Sequence, residues 1–296
     1  MPYEMMVLIK QVPDTTRITA RAMKDDGTVN RAALPAVVNP DDLSALELAL
    51  RVKDEHGGRV TVLTMGPPTA TAVLREALWR GADRALLLTD RALAGSDTLA
   101  TSYVLALAVK RAGVFDLVFC GRQAIDGDTA QVGPQVAEKL GLPQITCAEA
   151  IDALGDGLIE ARRSLPLGVE TVRCRLPCLL TVIGSGIVVR PPSVRRAMAQ
   201  KLASSPLEMA AVRERWPEFA SDDDLRSHLG RHGLEIPVWT AADLGADERR
   251  IGLGGSPTKV YKVDYVVLEG HASTDLEASP EALGELMRDL IEEYIL

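Results

Sequence analysis

Aromatic residues are scarce in this sequence: three Trp, five Tyr and three Phe make up 4% of 296 residues. The 47% that is hydrophobic is carried mostly by Ala, Val and Leu. That composition fits helices packed on a parallel sheet better than an all-β sandwich. Cysteine is nearly as scarce. Cys120, Cys147, Cys174 and Cys178 form no CxxC pair, and Cys174 and Cys178 are a weak metal pair. They read as reduced thiols, neither a disulfide frame nor an iron–sulfur ligand set, and Cys120 closes an apolar run expected to be buried. His228 and His232 share helical spacing, but Gly230 and Gly233 argue against a continuous helix, and no metal site is expected. Positive charge is not in surplus. With 33 basic and 41 acidic residues the net charge is -8, so nucleic acid is not an expected partner. No apolar run approaches a membrane span, and Met5–Ile9 is too short for a signal peptide. A cytoplasmic protein without stable membrane insertion is expected. There is no GxGxxG after the first strand, no GxxxxGK[ST], no GxSxG and no His/Cys constellation. These absences count against a dehydrogenase of the usual kind, a P-loop ATPase and a hydrolase.

What is present alternates strand and helix. Met5–Ile9 reads as a first strand, with Lys10–Asp14 leaving it as a loop and Asp25–Gly27 as a turn. Asn39 is placed to cap the next helix, with Pro40 at its first position and Asp42 at its third. Leu43, Leu46, Leu50 and Val52 give that helix a buried face, and Gly57 and Gly58 stop it. Strands are expected at Arg59–Thr64, Ala85–Thr89 and Phe115–Cys120. Helices are expected at Thr69–Trp79, Thr98–Arg111 and Pro134–Leu140. This is the spacing of βα units around a mostly parallel sheet. Leu158–Arg163 and Glu170–Leu176 then read as antiparallel strands, and Pro177–Ile183 as a third apolar segment. Pro191 and Pro192 open a helix, residues 204–237 read as a surface excursion of short helices, and Asp222–Asp224 are expected to cap a helix or face solvent. Gly252–Pro257 is a flexible or tightly turned segment. Lys259–Leu268 alternates like a strand, and Glu277–Tyr294 resembles an amphipathic helix. The organisation expected is an α/β nucleotide- or flavin-binding domain over 1–190, a recognition helix and extra surface segment over 191–240, and an arm with a helix over 241–296.

The strongest physical case for a site is Gly121–Gly133, which follows an apolar strand and precedes a helix. Ligands of open α/β sheets lie outside the carboxyl ends of strands. Gly121 and Gly127 allow close backbone approach. Thr129, Gln131 and the amides from Ala130 through Val132 to Gly133 can donate to a phosphate at a helix start. Arg122 and Gln123 can face a phosphate or an adenine edge. Asp126 and Asp128 would repel phosphate and are expected to hold loop amides or cap the helix. A structural turn with a capped helix explains the same residues equally well. A second loop, Gly95–Ser102, carries Ser96, Asp97, Thr98, Thr101 and Ser102 at another helix start. It suits a ribityl chain, a ribose or plain capping. Met65–Pro68, Asn39 and Asp41 can border the same crevice. No acid–base pair accompanies these loops, which suggests a cofactor that carries electrons, or a structural nucleotide.

Several segments in this order resemble the beta subunit of electron-transfer flavoproteins: Lys10-Gln11-Val12-Pro13-Asp14, Asn39-Pro40-Asp41-Asp42, Thr61–Pro67, Gly81-Ala82-Asp83-Arg84, Gly121–Gly133 and Gly254-Gly255-Ser256-Pro257-Thr258. The resemblance implies an adenine nucleotide alpha hydrolase-like α/β fold with an antiparallel hairpin and a C-terminal extension wrapping a partner. It also implies pairing with an FAD-carrying alpha subunit, and electron exchange with a flavin-dependent dehydrogenase or a low-potential acceptor such as ferredoxin. One branch of the family holds AMP. The bifurcating, nitrogen-fixation-associated branch holds a second FAD and takes hydride from NADH. The wording of Gly95–Ser102 and Asp126–Gly133 is similar to the second branch, since the AMP branch tends to have Asn and Thr where this chain has Ala130 and Val132. Carried over, Leu8 and Lys10 lie near the base or flavin, and Asn39 and Met65 line the pocket. Asp97, Thr98 and Thr101 contact the extra flavin part. Gly121, Arg122, Gln123, Ala124, Gly127, Asp128, Thr129, Ala130, Gln131 and Val132 wrap the adenosine diphosphate end. None is a catalytic acid or base. Two departures stand out: Pro166-Leu167-Gly168 in the hairpin, and Arg190–Arg196 followed by an extra segment of about 30 residues. The other readings are an AMP-binding subunit of a simple electron carrier and, in another class, a nucleotide-binding regulatory domain.

Overall fold

The computed structural model describes residues 2–14, 35–184, 186–259 and 276–292. The chain forms two units, Met1–Val260 and Tyr261–Leu296. In chain order the first contains β1 (Tyr3–Leu8), β2 (Gln11–Pro13), β3 (Ala36–Val38), α1 (Pro40–His56), β4 (Gly58–Met65), α2 (Thr71–Arg80), β5 (Arg84–Leu88), α3 (Thr98–Ala112), β6 (Leu117–Gly121) and α4 (Val132–Leu140). It continues with β7 (Gln144–Gly155), β8 (Leu158–Leu165), β9 (Gly168–Arg175), β10 (Cys178–Val182), α5 (Val194–Ala199), α6 (Met209–Arg215), α7 (Asp222–His232), β11 (Val238–Trp239) and α8 (Gly252–Gly255). The second unit contributes α9 (Pro280–Glu292). No helix among the described residues is long and apolar enough to cross a membrane.

Among the described residues the main sheet has nine strands in the order β11-β5-β4-β1-β6-β10-β7-β8-β9. The run from β11 to β7 is parallel, and β8 and β9 add an antiparallel hairpin at its end. This is the α/β architecture expected. Burial on both faces explains why β1 reads as an unbroken apolar run. Met5 and Val7 point into a core shared with Leu46 and Leu50 of α1 and with Leu74 of α2. Met6 and Leu8 point the other way, toward Val104 and Leu105 of α3 and Val136 of α4. The chain leaves β1 for β4 and β5 on one side, then returns to place β6 on the other. That reversal opens a crevice beyond the carboxyl ends of β1 and β6, where ligands of such sheets lie.

Four expectations need correction. Lys10–Asp14 is not a plain loop, because Gln11–Pro13 pairs antiparallel with Ala36–Val38. A two-stranded ribbon consists only of edges, and Pro13 sits at its end, where a missing donor is tolerated. β7, the longest strand, was not anticipated at all. Its register shifts twice, at Ala148/Ala150 and Ile151/Ala153, and Cys147 has a φ of 56°. Bulges of this kind break the alternation by which a strand is recognised. α7 is continuous through Gly230 and ends only at Gly233, whose φ of 65° closes a left-handed cap. The His228 and His232 rings stack on it, with centroids 4.2 Å apart. Finally, the helices within residues 204–237 do not all lie on the surface. Leu225 and Leu229, one turn apart, are completely buried and join Leu202, Met209, Leu234 and Ile236 in the core beside α2. Two leucines among charged and polar neighbours carry too little hydrophobic signal to mark a buried face.

A prediction follows from that burial. Leu229→Ala should lower unfolding stability by about 2–5 kcal/mol, the range for emptying a packed leucine site. Denaturant titration measures it, and a loss below about 0.5 kcal/mol would mean that the segment is a loosely attached spacer.

The remaining expected elements are present within a few residues. Gly252–Gly255 is tightly turned, as one helical turn, and Cys120 is buried. Asp25–Gly27 and nearly all of Lys259–Leu268 lie outside the described residues.

Candidate cofactor crevice

The crevice is organised by the first turn of α1. Asn39 occupies the cap position but does not cap, contrary to expectation. Its buried side chain faces sideways: Nδ2 donates to the Gln123 carbonyl at 2.8 Å, and Oδ1 accepts from the Ile125 amide at 3.1 Å. Asp42 likewise reaches away from its helix. Its carboxylate accepts from the Lys10 amide and from the Gly121 amide, each at 2.8 Å. Asp41 accepts from the Gly184 amide at 3.0 Å. One helix start therefore ties together the ends of β1, β6 and β10. Burial raises the Asp42 carboxyl to about 7, against the opposing pull of the Gly121 and Lys10 amides.

Gly121 is needed for this closeness. A β-carbon there would lie 2.5 Å from Asp42 Oδ1 and 2.7 Å from both the Asp42 nitrogen and the Asp41 β-carbon. Its missing side chain makes room for the protein's own carboxylate. Gly127 differs, since a β-carbon there would meet nothing within 4 Å. Gly133 lets α4 lie close on the sheet, where a β-carbon would be 2.6 Å from Thr181 and 2.8 Å from Cys120.

The loop between β6 and α4 presents donors. Asp128 and Ala130 have φ of 49° and 53°, a left-handed conformation that costs a residue with a side chain about 1–2 kcal/mol. Among the described residues, the amides of Thr129, Ala130 and Gln131 have no hydrogen-bond acceptor. They stand exposed at the positive end of the nine-residue α4, the setting that binds phosphate elsewhere. Arg122 Nε is buried without an acceptor among the described residues, with Asp41 3.8 Å away. The two loop carboxylates act on side chains, not on amides or caps. Asp126 pairs with Lys10 Nζ at 2.6 Å, and Asp128 accepts from Gln123 Nε2 at 2.8 Å. The partly exposed Lys10–Asp126 pair contributes at most about 1 kcal/mol, but it cancels the charges at the crevice mouth.

The two expected loops meet. Thr98 Oγ1 donates to Gln131 Oε1 at 3.0 Å, and Ser102 Oγ donates to Gln135 Oε1 at 2.9 Å, joining the starts of α3 and α4. Ser96 is engaged with Leu93 and with the Gly252 amide. Among these hydroxyls only Thr101 has no hydrogen bond within the described residues. Leu8 is buried at the end of β1, and Met65 is half-buried at the end of β4. The cluster thus gathers Leu8, Lys10, Asn39, Asp41, Arg122 and Gln123 around the ends of β1 and β6, with Thr98 and Gln131 bridging on the far side.

A cavity of about 240 Å³ lies at the opposite end of the strands, near the amino ends of β4 and β5, and its lining includes Lys53, Arg80, Arg190 and Arg196. It is no alternative nucleotide site. The carbonyl ends of α1 and α2 face it, and Lys53, Arg80 and Arg190 are already paired with Asp83, Glu76 and Glu47.

Comparison with known proteins gives this geometry a family. A model described as the electron transfer flavoprotein domain matches residues 26–216. The electron transfer flavoprotein subunit beta of Clostridium acetobutylicum is 40% identical over 291 residues, 98% of this chain and 99% of that one. The chain belongs to the electron transfer flavoprotein family and is of the beta-subunit type. Protein FixA of Azorhizobium caulinodans is 44% identical over 266 residues, covering 87% of this chain and 83% of that protein. The caffeyl-CoA reductase-Etf complex subunit CarD of Acetobacterium woodii is 36% identical over 293 residues, 98% of this chain and 99% of that one. Likeness to FixA agrees with the branch whose wording the two loops carry. Within this beta-type chain, sequence reasoning missed Asp42 as the organiser of the crevice. Its one signal was the pair Asp41-Asp42 at a helix start, which dipole stabilisation explains without any tertiary role.

Proposed function

We propose that this beta-type subunit binds FAD in the crevice and works with an alpha subunit as an electron carrier of the bifurcating kind. The observation that carries the FAD reading is the bridge from Thr98 to Gln131. It joins the loop with free amides to a second, hydroxyl-bearing loop with Thr101 open. A short nucleotide such as AMP has no ribityl chain to use that second loop. The amides of Thr129–Gln131 would hold the diphosphate, Thr101 the ribityl chain, and Leu8 and Met65 would border the ring. A bound flavin supplies exchange between two-electron chemistry, with NADH as donor, and one-electron transfer to a low-potential acceptor such as ferredoxin and to the alpha subunit. The residues around it bind and orient; none is placed as a proton donor.

Cofactor content of the purified heterodimer tests this. Two FAD per heterodimer are expected by absorbance and by mass of the released nucleotide; one FAD with one AMP sinks the reading. Thr101→Val should weaken FAD binding about three- to tenfold, the loss of one neutral hydrogen bond, with little effect on folding.

Two exposed apolar faces suit the partners. On α9, Leu283, Met287 and Ile291 repeat every turn and are about half exposed, a stripe that fits an alpha subunit. On α5, Val194 and Met198 lie one turn apart and are 79% and 61% exposed. We assign that pair to a dehydrogenase partner. Replacing both by Ser should slow electron exchange with the dehydrogenase and leave flavin content unchanged; an unchanged rate would remove α5 from the interface.

A further inference from the structure

Asp97 was expected to touch the cofactor, yet its carboxylate is turned toward the chain itself. Oδ1 accepts from the Ala100 amide at 2.9 Å and so caps α3. Oδ2 accepts from the Thr258 amide at 3.0 Å and from Thr258 Oγ1 at 2.7 Å. Three donors, two of them from Thr258, take up most of the carboxylate's lone pairs and commit it to the chain itself. Although burial acts to raise it, the Ala100 and Thr258 donors hold the Asp97 carboxyl below its ordinary value.

The rest of the contact is equally specific. The Asp97 amide donates to Ser256 Oγ at 2.8 Å, and Ser256 Oγ donates to the Gly252 carbonyl at 2.6 Å. The Gly252 amide donates to Ser96 Oγ at 3.0 Å, and the Leu253 amide to the Ala94 carbonyl at 3.0 Å. Gly252 is dictated by this fit. Gly252 has a φ of 61°, and a β-carbon there would lie 2.3 Å from the Ala92 carbonyl oxygen. Residues 252–258 are therefore wedged against the back of the loop that opens α3. The same peptide continues directly into the second unit, which begins at Tyr261.

We propose that Asp97 is a positioning residue that fixes the hydroxyl-bearing loop Gly95–Thr101 to the root of the C-terminal arm, so that cofactor affinity depends on Ser256 and Thr258. The proposal rests on the reading that this loop borders the FAD site. A coupling of this kind is reciprocal: whatever holds residues 252–258 in place strengthens cofactor binding, and a bound cofactor holds them in turn.

The test uses the whole heterodimer with FAD as the probe. The double variant Ser256→Ala, Thr258→Val should bind FAD in this subunit about tenfold more weakly, within the usual range of coupling between sites. The visible circular dichroism of the bound flavin should change, and amides of Gly95–Thr101 should exchange hydrogen faster. Thr258→Ser, which keeps the hydroxyl, should restore wild-type behaviour when Ser256 is intact. Wild-type affinity and dichroism in the double variant overturn the proposal. If the wild-type heterodimer holds no FAD in this subunit, the cofactor reading has failed. In that case unchanged exchange at Gly95–Thr101 in the double variant overturns the clamp as well.

Discussion

Asp42→Ala should lower unfolding stability by about 1–3 kcal/mol, because a buried and a part-buried amide lose this acceptor and an orphaned buried donor costs about that much. The amides are those of Lys10 and Gly121. They sit at the carboxyl ends of β1 and β6, the two strands on either side of the crevice. FAD binding should fall with stability, since both strand ends lose their common anchor. The effect also has a pH signature. Burial places the folded carboxyl at about 7 against an ordinary 3.8, so between these values the folded state holds a proton that the unfolded chain has released. A raised carboxyl makes its full contribution below pH 3.8 and loses it as pH rises through about 7. The cost of Asp42→Ala should therefore be larger at pH 5 than at pH 8. Denaturant midpoints at the two pH values measure it. A cost below about 0.5 kcal/mol at both would show that water replaces the carboxylate without loss.

Gly121→Ala is expected to be nearly as damaging for a different reason. The added carbon meets backbone and a short, buried side chain, none of which can swing aside. Overpacking of this kind costs about 1–3 kcal/mol, and the Asp42 contact is lost with it. Gly127→Ala is the contrast. Nothing in the protein occupies the space its methyl would take, so stability should stay within about 0.5 kcal/mol. If the space is used by the cofactor, FAD affinity falls; an unchanged affinity would place the cofactor away from Gly127. The double variant Asp42→Ala, Gly121→Ala should cost less than the sum of its parts, because both single changes break the same contact.

The sequence by itself determined the layers. Runs such as Met5–Leu8 and Leu117–Cys120 are apolar on both faces because helices cover both faces, and that pattern needs no tertiary information. The same holds for the glycine stop of α1, for the antiparallel hairpin, and for the two loops at the starts of α3 and α4. Which atoms those loops offer was decided only by the tertiary structure. Asn39 looks like a helix cap in sequence, yet its side chain holds the Gln123 and Ile125 backbone from 84 and 86 residues away. Asp97 looks like a ligand, yet its carboxylate is filled by Thr258, 161 residues on. Gly121 and Gly127 are indistinguishable as letters, and only the neighbours in space separate a glycine that admits Asp42 from one that faces open room. A local pattern reports periodicity and capping, which act over a few residues. The pairing of a buried carboxylate with distant amides depends on where the chain crosses itself, and no short window of sequence contains that crossing.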